Sequence, residues 1–151
     1  MKNLLFIKTP IDFGIENHPN GPPLGLMYLA GFITKKLPYH YNIKLFDMRL
    51  HKTSISDLNR IILEFKPDII ACSVLTIENK CMHAIAKLAK KIDKKIKIVV
   101  GGPHPTIYYR EIMEDENIDL AVIGEGEETL SELLKHLEEG KDIINVAGIA
   151  F

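Results

Sequence analysis

The sequence predicts an α/β domain built on a doubly wound parallel sheet, and two observations carry that expectation. Five short apolar runs alternate with longer segments of helical period. Each run is about four residues long, β-branched and apolar on both faces, as strands covered by helices on both sides must be. At 151 residues, with 46% hydrophobic and 26% charged residues, the chain suffices for one domain with a substantial core.

The runs occupy residues 4–7, 43–46, 69–72, 98–100 and 120–123. Between them, Ile55, Leu58, Ile61, Ile62 and Phe65 form one helical stripe, and Met82, Ile85, Ala86, Ala89 and Ile92 another. Leu130, Leu133, Leu134 and Leu137 form a third, with Gly140 as its stop signal. Residues 22–37 also read as a helix, but Leu24, Leu26, Met27, Leu29, Ala30, Phe32 and Ile33 leave it little polar face. Such a helix is expected to be covered by its own sheet and by another domain or partner. Residues 103–116 read as a loop followed by a short helix. Strand–helix repetition implies right-handed crossovers, and five strands fit the flavodoxin-like, Rossmann-like order 2-1-3-4-5. The domain is expected to end at residue 142, with 143–151 reading as one more apolar strand, cut short, that opens a linker.

A net charge of -1 gives no electrostatic reason to expect nucleic acid. Lys87, Lys90, Lys91, Lys94, Lys95 and Lys97 cluster, but on the polar face and end of a helix, which reads as a solvated face. Cys72 and Cys81 lack metal-ligand spacing. No signal peptide or membrane-spanning apolar run is visible, so no membrane partner is expected, and the cytoplasm is the expected location.

Ligands of open α/β sheets bind beyond the carboxyl ends of the strands, so the residues after each strand are the candidates for a site. Thr9 and Pro10 follow the first strand, leading to Asn20-Gly21-Pro22-Pro23-Leu24-Gly25; Asp47, Arg49 and His51 follow the second. Ser73-Val74-Leu75-Thr76 follow the third, Gly101-Gly102-Pro103-His104-Pro105-Thr106 the fourth, and Gly124-Glu125-Gly126-Glu127-Glu128-Thr129 the fifth. Gly101 and Gly102 admit either a tight turn or a ligand lying against bare backbone. Gly124 and Gly126 resemble a phosphate-binding turn, yet Glu125, Glu127 and Glu128 put negative charge where phosphate would sit and favour a helix dipole instead. The dinucleotide pattern G-x-G-x-x-G is absent. His104, between two prolines, is the leading histidine for ligand contact; His51 reads as a metal ligand or a solvated loop residue. His18, His40, His83 and His136 have no evident company in sequence, and no Ser-His-Asp or Cys-His set assembles.

Taken together these segments resemble a known family. Pro22-Pro23-Leu24-Gly25-Leu26-Met27-Tyr28-Leu29-Ala30 resembles the P-P-L-G-L-x-Y-L-A segment of the amino-terminal cobalamin-binding domain of radical S-adenosylmethionine enzymes. Val99-Val100-Gly101-Gly102-Pro103-His104-Pro105-Thr106 and residues 119–129 resemble it too, in the same order, and the likeness covers essentially the whole chain. Cobalamin-binding domains share three motifs: D-x-H-x-x-G, whose histidine is the lower cobalt ligand, then S-x-L and a G-G pair. Ser73-Val74-Leu75 and Gly101-Gly102 match the latter two. The first is missing: Met48 and Arg49 follow Asp47, and His51 is displaced. The cluster motif C-x-x-x-C-x-x-C is also absent.

The resemblance implies a domain that binds cobalamin without a histidine lower ligand and is not catalytic alone. The 4Fe-4S cluster and S-adenosylmethionine would belong to a missing radical catalytic domain, its partner, with methylation of an unactivated carbon as the implied reaction. It places Ser73, Leu75, Gly101 and Gly102 at the nucleotide tail and Thr9, Pro22, Pro23, His104, Pro105 and Thr106 at the corrin rim, with Leu24, Asp47, Thr76, Gly124 and Gly126 completing the site. On that placement Gly102→Leu blocks the tail and leaves the fold intact. The competing expectations are a scaffold domain without cofactor, a flavin- or nucleotide-binding flavodoxin-like domain, and a receiver domain using Asp12 and Asp47. Gly124 and Glu125 stand where a receiver would carry lysine.

Overall fold

Each apolar run becomes a strand. The computed structural model describes residues 1–14, 21–50 and 53–151. In chain order its elements are β1 (Lys2–Lys8), α1 (Leu24–Lys36), β2 (Tyr41–Asp47), α2 (Ile55–Phe65), β3 (Ile69–Ser73), a 3-10 turn (Thr76–Glu78), α3 (Asn79–Ile92), β4 (Lys97–Gly101), α4 (Pro103–Ile112), β5 (Leu120–Val122), α5 (Glu127–Glu139) and β6 (Ile149–Ala150). The sheet order is β2-β1-β3-β4-β5-β6, so the expected 2-1-3-4-5 arrangement is present with a sixth strand at one edge. The first five strands pair in parallel, and β6 runs antiparallel to β5 through Val122 and Ile149. Residues 143–151, read as one more apolar strand and as the opening of a linker, contribute β6 to the same sheet; Val146 is buried among the side chains of α1 and α5.

Alternation along the strands splits the core into two layers. Leu5, Ile7, Ile70, Cys72, Ile98, Val100 and Ala121 face α2 and α3, where Leu58, Ile62, Met82, Ile85, Ala86 and Ala89 are buried. Leu4, Phe6, Ile69, Ala71, Val99, Leu120 and Val122 face α1 and α5, against Leu26, Ile33, Leu130, Leu133 and Leu134. Gly140 ends α5 in the left-handed conformation, φ 64°, as its stop signal predicts. Only Leu26 and Ile33 of α1 are fully buried; Leu24 and Tyr28 are 68% and 64% exposed.

The expected loop at 103–116 is instead a helix that starts at once. Pro103 and Pro105 both lie in its first turn, where the missing N–H groups cost no intrahelical bond. A local break at Tyr108 (φ −111°, ψ 23°) divides it. Among the clustered lysines, Lys90 and Lys97 both pair with Asp119, at 2.7 and 3.0 Å, while Lys87, Lys91, Lys94 and Lys95 are solvated. No helix among the described residues is long and apolar enough to cross a membrane.

Candidate cofactor-binding site

A cleft of about 530 Å³ opens at the carboxyl edge of the sheet, on the side covered by α1 and α5. Its floor is Phe6, Ala71, Val99 and Val122; its walls are Leu26 and Leu29 of α1 and Leu130 of α5; Ser73, Gly101, Gly102, Gly124 and Gly126 line it at the strand ends. The volume lies within the roughly 300–1,000 Å³ typical of small-molecule and cofactor sites, which are likewise mostly apolar. Cys72 also borders it, and burial pushes that thiol up to about 12, leaving a neutral lining group rather than a nucleophile.

Local backbone chemistry shapes the strand ends. Gly102 has φ +101°, and a Cβ there would stand 3.1 Å from both the backbone N and O of Val74. The glycine suits the approach of the β4–α4 turn to the end of β3, so Gly102→Leu strains the fold itself as well as filling the slot. Thr106, one turn into α4, joins two turns: its hydroxyl donates to Gly102 O (2.8 Å) and accepts from the Gly124 N–H (3.0 Å).

Of the residues expected at the site, Ser73, Gly101, Gly102, Thr106, Gly124 and Gly126 come together around this cleft. Pro22, Pro23 and Asp47 line a separate, shallower depression of about 490 Å³ with Leu45, Phe46 and Leu50. Leu24 is exposed on α1, and Leu75 and Thr76 are exposed on the turn after β3. His104 and Pro105 do not reach the cleft: helical spacing turns Pro103, Thr106 and Ile107 toward it and buries His104 and Pro105 elsewhere. The His104 ring lies 4.9 Å from Tyr108, and neither ring nitrogen has a hydrogen-bond partner among the described residues. Burial, and then the nearby His83, lower its pKa. His18, Asn20 and His51 lie outside the described residues. The other histidines do have company: His40 meets Glu138, His83 meets Asp115 and His136 meets Asp142 O, each at 2.6 Å.

Two charged pairs stand at the strand ends, and Glu125 and Glu127 line the cleft itself. Arg49, at the third position of the D-x-H-x-x-G pattern, binds Asp47 through Nε (2.9 Å) and an amino group (2.6 Å) and also reaches Gly21 O (3.2 Å). Burial works to raise the Asp47 carboxyl, but the hydrogen bonds and charge of Arg49 outweigh it and hold it below the ordinary range. Sequence reading missed a second pair: Lys8 Nζ donates to both Glu78 oxygens at 2.7 and 2.6 Å, with Glu78 only 2% exposed. Thr9, fully buried, places its hydroxyl 2.7 Å from Glu78 and 2.9 Å from Ser73 O. A buried acid in a chain position beside exposed Leu75 and Ile77 carries no sequence signal, because its partner is 70 residues away.

An open α/β sheet with an apolar cleft at its carboxyl edge defines a cofactor-binding domain of the doubly wound class. Residues 14–134 match the family model described as the B12 binding domain, and the chain belongs to that family. An uncharacterized methyltransferase of Pyrococcus horikoshii is 32% identical over 151 residues, spanning 98% of this chain and 32% of that protein. The anaerobic magnesium-protoporphyrin IX monomethyl ester cyclase of Rubrivivax gelatinosus is 29% identical over 142 residues, spanning 91% of this chain and 25% of the cyclase. Among solved structures, the cobalamin-dependent S-adenosylmethionine radical enzyme OxsB, with aqua-cobalamin and S-adenosylmethionine bound, matches with TM-score 0.85 at 25% identity. That match covers 100% of this chain and 21% of OxsB. The chain thus spans a third or less of the length of these proteins. The resemblance to cobalamin-binding domains of radical S-adenosylmethionine enzymes is borne out.

Proposed function

We propose that this chain holds cobalamin without a histidine lower ligand and presents it to a radical S-adenosylmethionine catalytic domain for methyl transfer to an unactivated carbon. The observation that carries the reading is the apolar cleft of about 530 Å³ beside Ser73 and Gly102, the place the motifs predict for the nucleotide tail. Its donor set fits the group: apolar walls for the tail's aromatic base, and small residues at the strand ends that let backbone approach closely. Ser73, Gly101, Gly102, Gly124 and Gly126 would border the tail, and Thr106 holds two of those turns together. Bound methylcobalamin supplies a transferable methyl group; these residues bind and orient it and keep water from its tail.

Arg49 supports the histidine-off form. A guanidinium is permanently protonated and offers no lone pair to cobalt, and Arg49 is already engaged by Asp47. The partner is supported by the OxsB match, which covers only 21% of that enzyme, and by the exposed apolar residues Leu24, Met27 and Tyr28 on α1. The cluster and S-adenosylmethionine would lie in that partner domain. Methylation is favoured by the Pyrococcus relative's name, while the cyclase relative favours ring formation as the second reading.

Titration with hydroxocobalamin, followed by visible spectroscopy and desalting, tests the proposal. Retained colour with a base-off spectrum is expected. Ala71→Leu, which adds volume on the cleft floor, is expected to weaken uptake by about ten-fold or more with the far-ultraviolet dichroism unchanged. No uptake by the unmodified chain at high micromolar cobalamin would leave the scaffold reading in its place.

A further inference from the structure

The buried ion pair between Lys8 and Glu78 is unused by the cleft, yet it occupies the centre of the strand-end edge. Lys8 is the last residue of β1 and stands in register with Asp47 of β2 and Ser73 of β3. It therefore lies where the chain reverses its progress across the sheet, the position at which open α/β sheets meet their ligands. The Glu78 carboxylate accepts from Lys8 Nζ, from the Leu75 N–H at 2.8 Å and lies 2.7 Å from the Thr9 hydroxyl. Its own N–H closes back onto Leu75 O at 2.9 Å. The other end of the segment is held as firmly: the Val74 N–H donates to Gly101 O (2.9 Å) and Val74 O accepts from the His104 N–H (3.2 Å).

Between these anchors the chain exposes apolar side chains rather than burying them. Leu75 is 42% and Ile77 62% exposed, directly after the strand whose last residue, Ser73, lines the cleft. A buried ion pair is a poor means of gaining stability, because apolar side chains of similar volume do as well or better. What an apolar pair cannot do is bind the Leu75 N–H and the Thr9 hydroxyl at once.

We infer that Lys8, Thr9 and Glu78 are positioning residues for the corrin ring: they pin the turn after β3 so that Leu75 and Ile77 form an apolar shelf under it. The inference rests on the cobalamin reading. Thr9, expected to touch the ring itself, acts through Glu78, since it is fully buried; Leu75, expected at the nucleotide tail, stands outside the cleft and is assigned to the ring instead.

The test compares thermal unfolding with hydroxocobalamin affinity in two variants of the chain. The double variant Lys8→Met/Glu78→Leu replaces the ion pair by apolar groups but removes the acceptor of the Leu75 N–H and the Thr9 hydroxyl; its thermal midpoint is expected to fall modestly, and the Kd of the folded protein to rise about ten-fold. Leu75→Ser/Ile77→Ser leaves the ion pair in place and alters only exposed side chains; it is expected to bind about ten-fold more weakly at an unchanged midpoint. A purely structural network would lower the midpoint of the double variant and leave the affinity of the folded protein unchanged. Should the double variant fail to fold, the Leu75→Ser/Ile77→Ser pair decides. If the unmodified chain takes up cobalamin and the folded variants match its affinity, this inference fails alone. If the unmodified chain takes up none, the cobalamin reading fails and this inference with it.

Discussion

The two sides of the sheet are made by the same strands and are packed differently. In β3, Ile70 and Cys72 fill the side facing α2 and α3, whereas Ala71 and Ser73 leave the opposite side short. In β4 the contrast is between Ile98 and Val100 on one side and Val99 and Gly101 on the other. Met82, Ile85, Ala86 and Ala89 of α3 are all buried against the filled side. Across the sheet, α1 buries only Leu26 and Ile33, and α5 begins beyond Gly126, so both helices stand over the cleft at the strand ends. In β3 and β4 the space at the strand ends comes from the small residues Ala71, Ser73 and Gly101 on the cleft side.

This contrast can be broken from the filled side first. Ile85→Ala removes a fully buried side chain from the core layer under α3 and is expected to cost about 2–5 kcal/mol in chemical denaturation. The affinity of the folded fraction for cobalamin should not change. Equal losses from Ile85→Ala and from Ala71→Leu would show that the two sides are not energetically distinct.

At the junction between the sides, Gly102→Ala is expected to destabilise by about 1–3 kcal/mol, through positive φ and contact with the Val74 backbone. Denaturation midpoints with and without cobalamin separate this cost from any loss of binding. A neutral effect on stability would return Gly102 to the role of a mere opening for the tail.

The smallest expected effect is one of pH, at His104. Its folded pKa is lowered by burial and by His83, with Glu111 opposing, so the neutral form is favoured in the fold. Its contribution is therefore complete above the unfolded pKa of about 6.5 and declines as pH falls from there toward the lower folded value. His104→Leu should flatten that decline in unfolding curves measured between pH 8 and pH 5. Parallel curves for the two proteins would exclude His104 as the source.

Much of the site was legible because glycine, proline and small residues cluster where strands end. Ser73, Gly101, Gly102, Thr106, Gly124 and Gly126 were all in that reading, and all line the cleft. The proline neighbours of His104 suggest a loop, while in the structure they initiate a helix whose spacing turns His104 away from the cleft. Leu26, Leu29 and Leu130 were read as helix stripe alone; their second role as cleft walls depends on how far two helices stand apart.

The residues in order determined the strands, the helical stripes and the edge at which a ligand binds, because period and glycine placement act over a few neighbours. The tertiary structure alone decided that β6 joins the sheet antiparallel to β5 and that Lys8 meets Glu78. It also decided that one side of the sheet is filled while the other keeps a cavity. Those outcomes depend on distances between segments far apart in the chain or on side-chain bulk summed across three elements, and no local pattern encodes either.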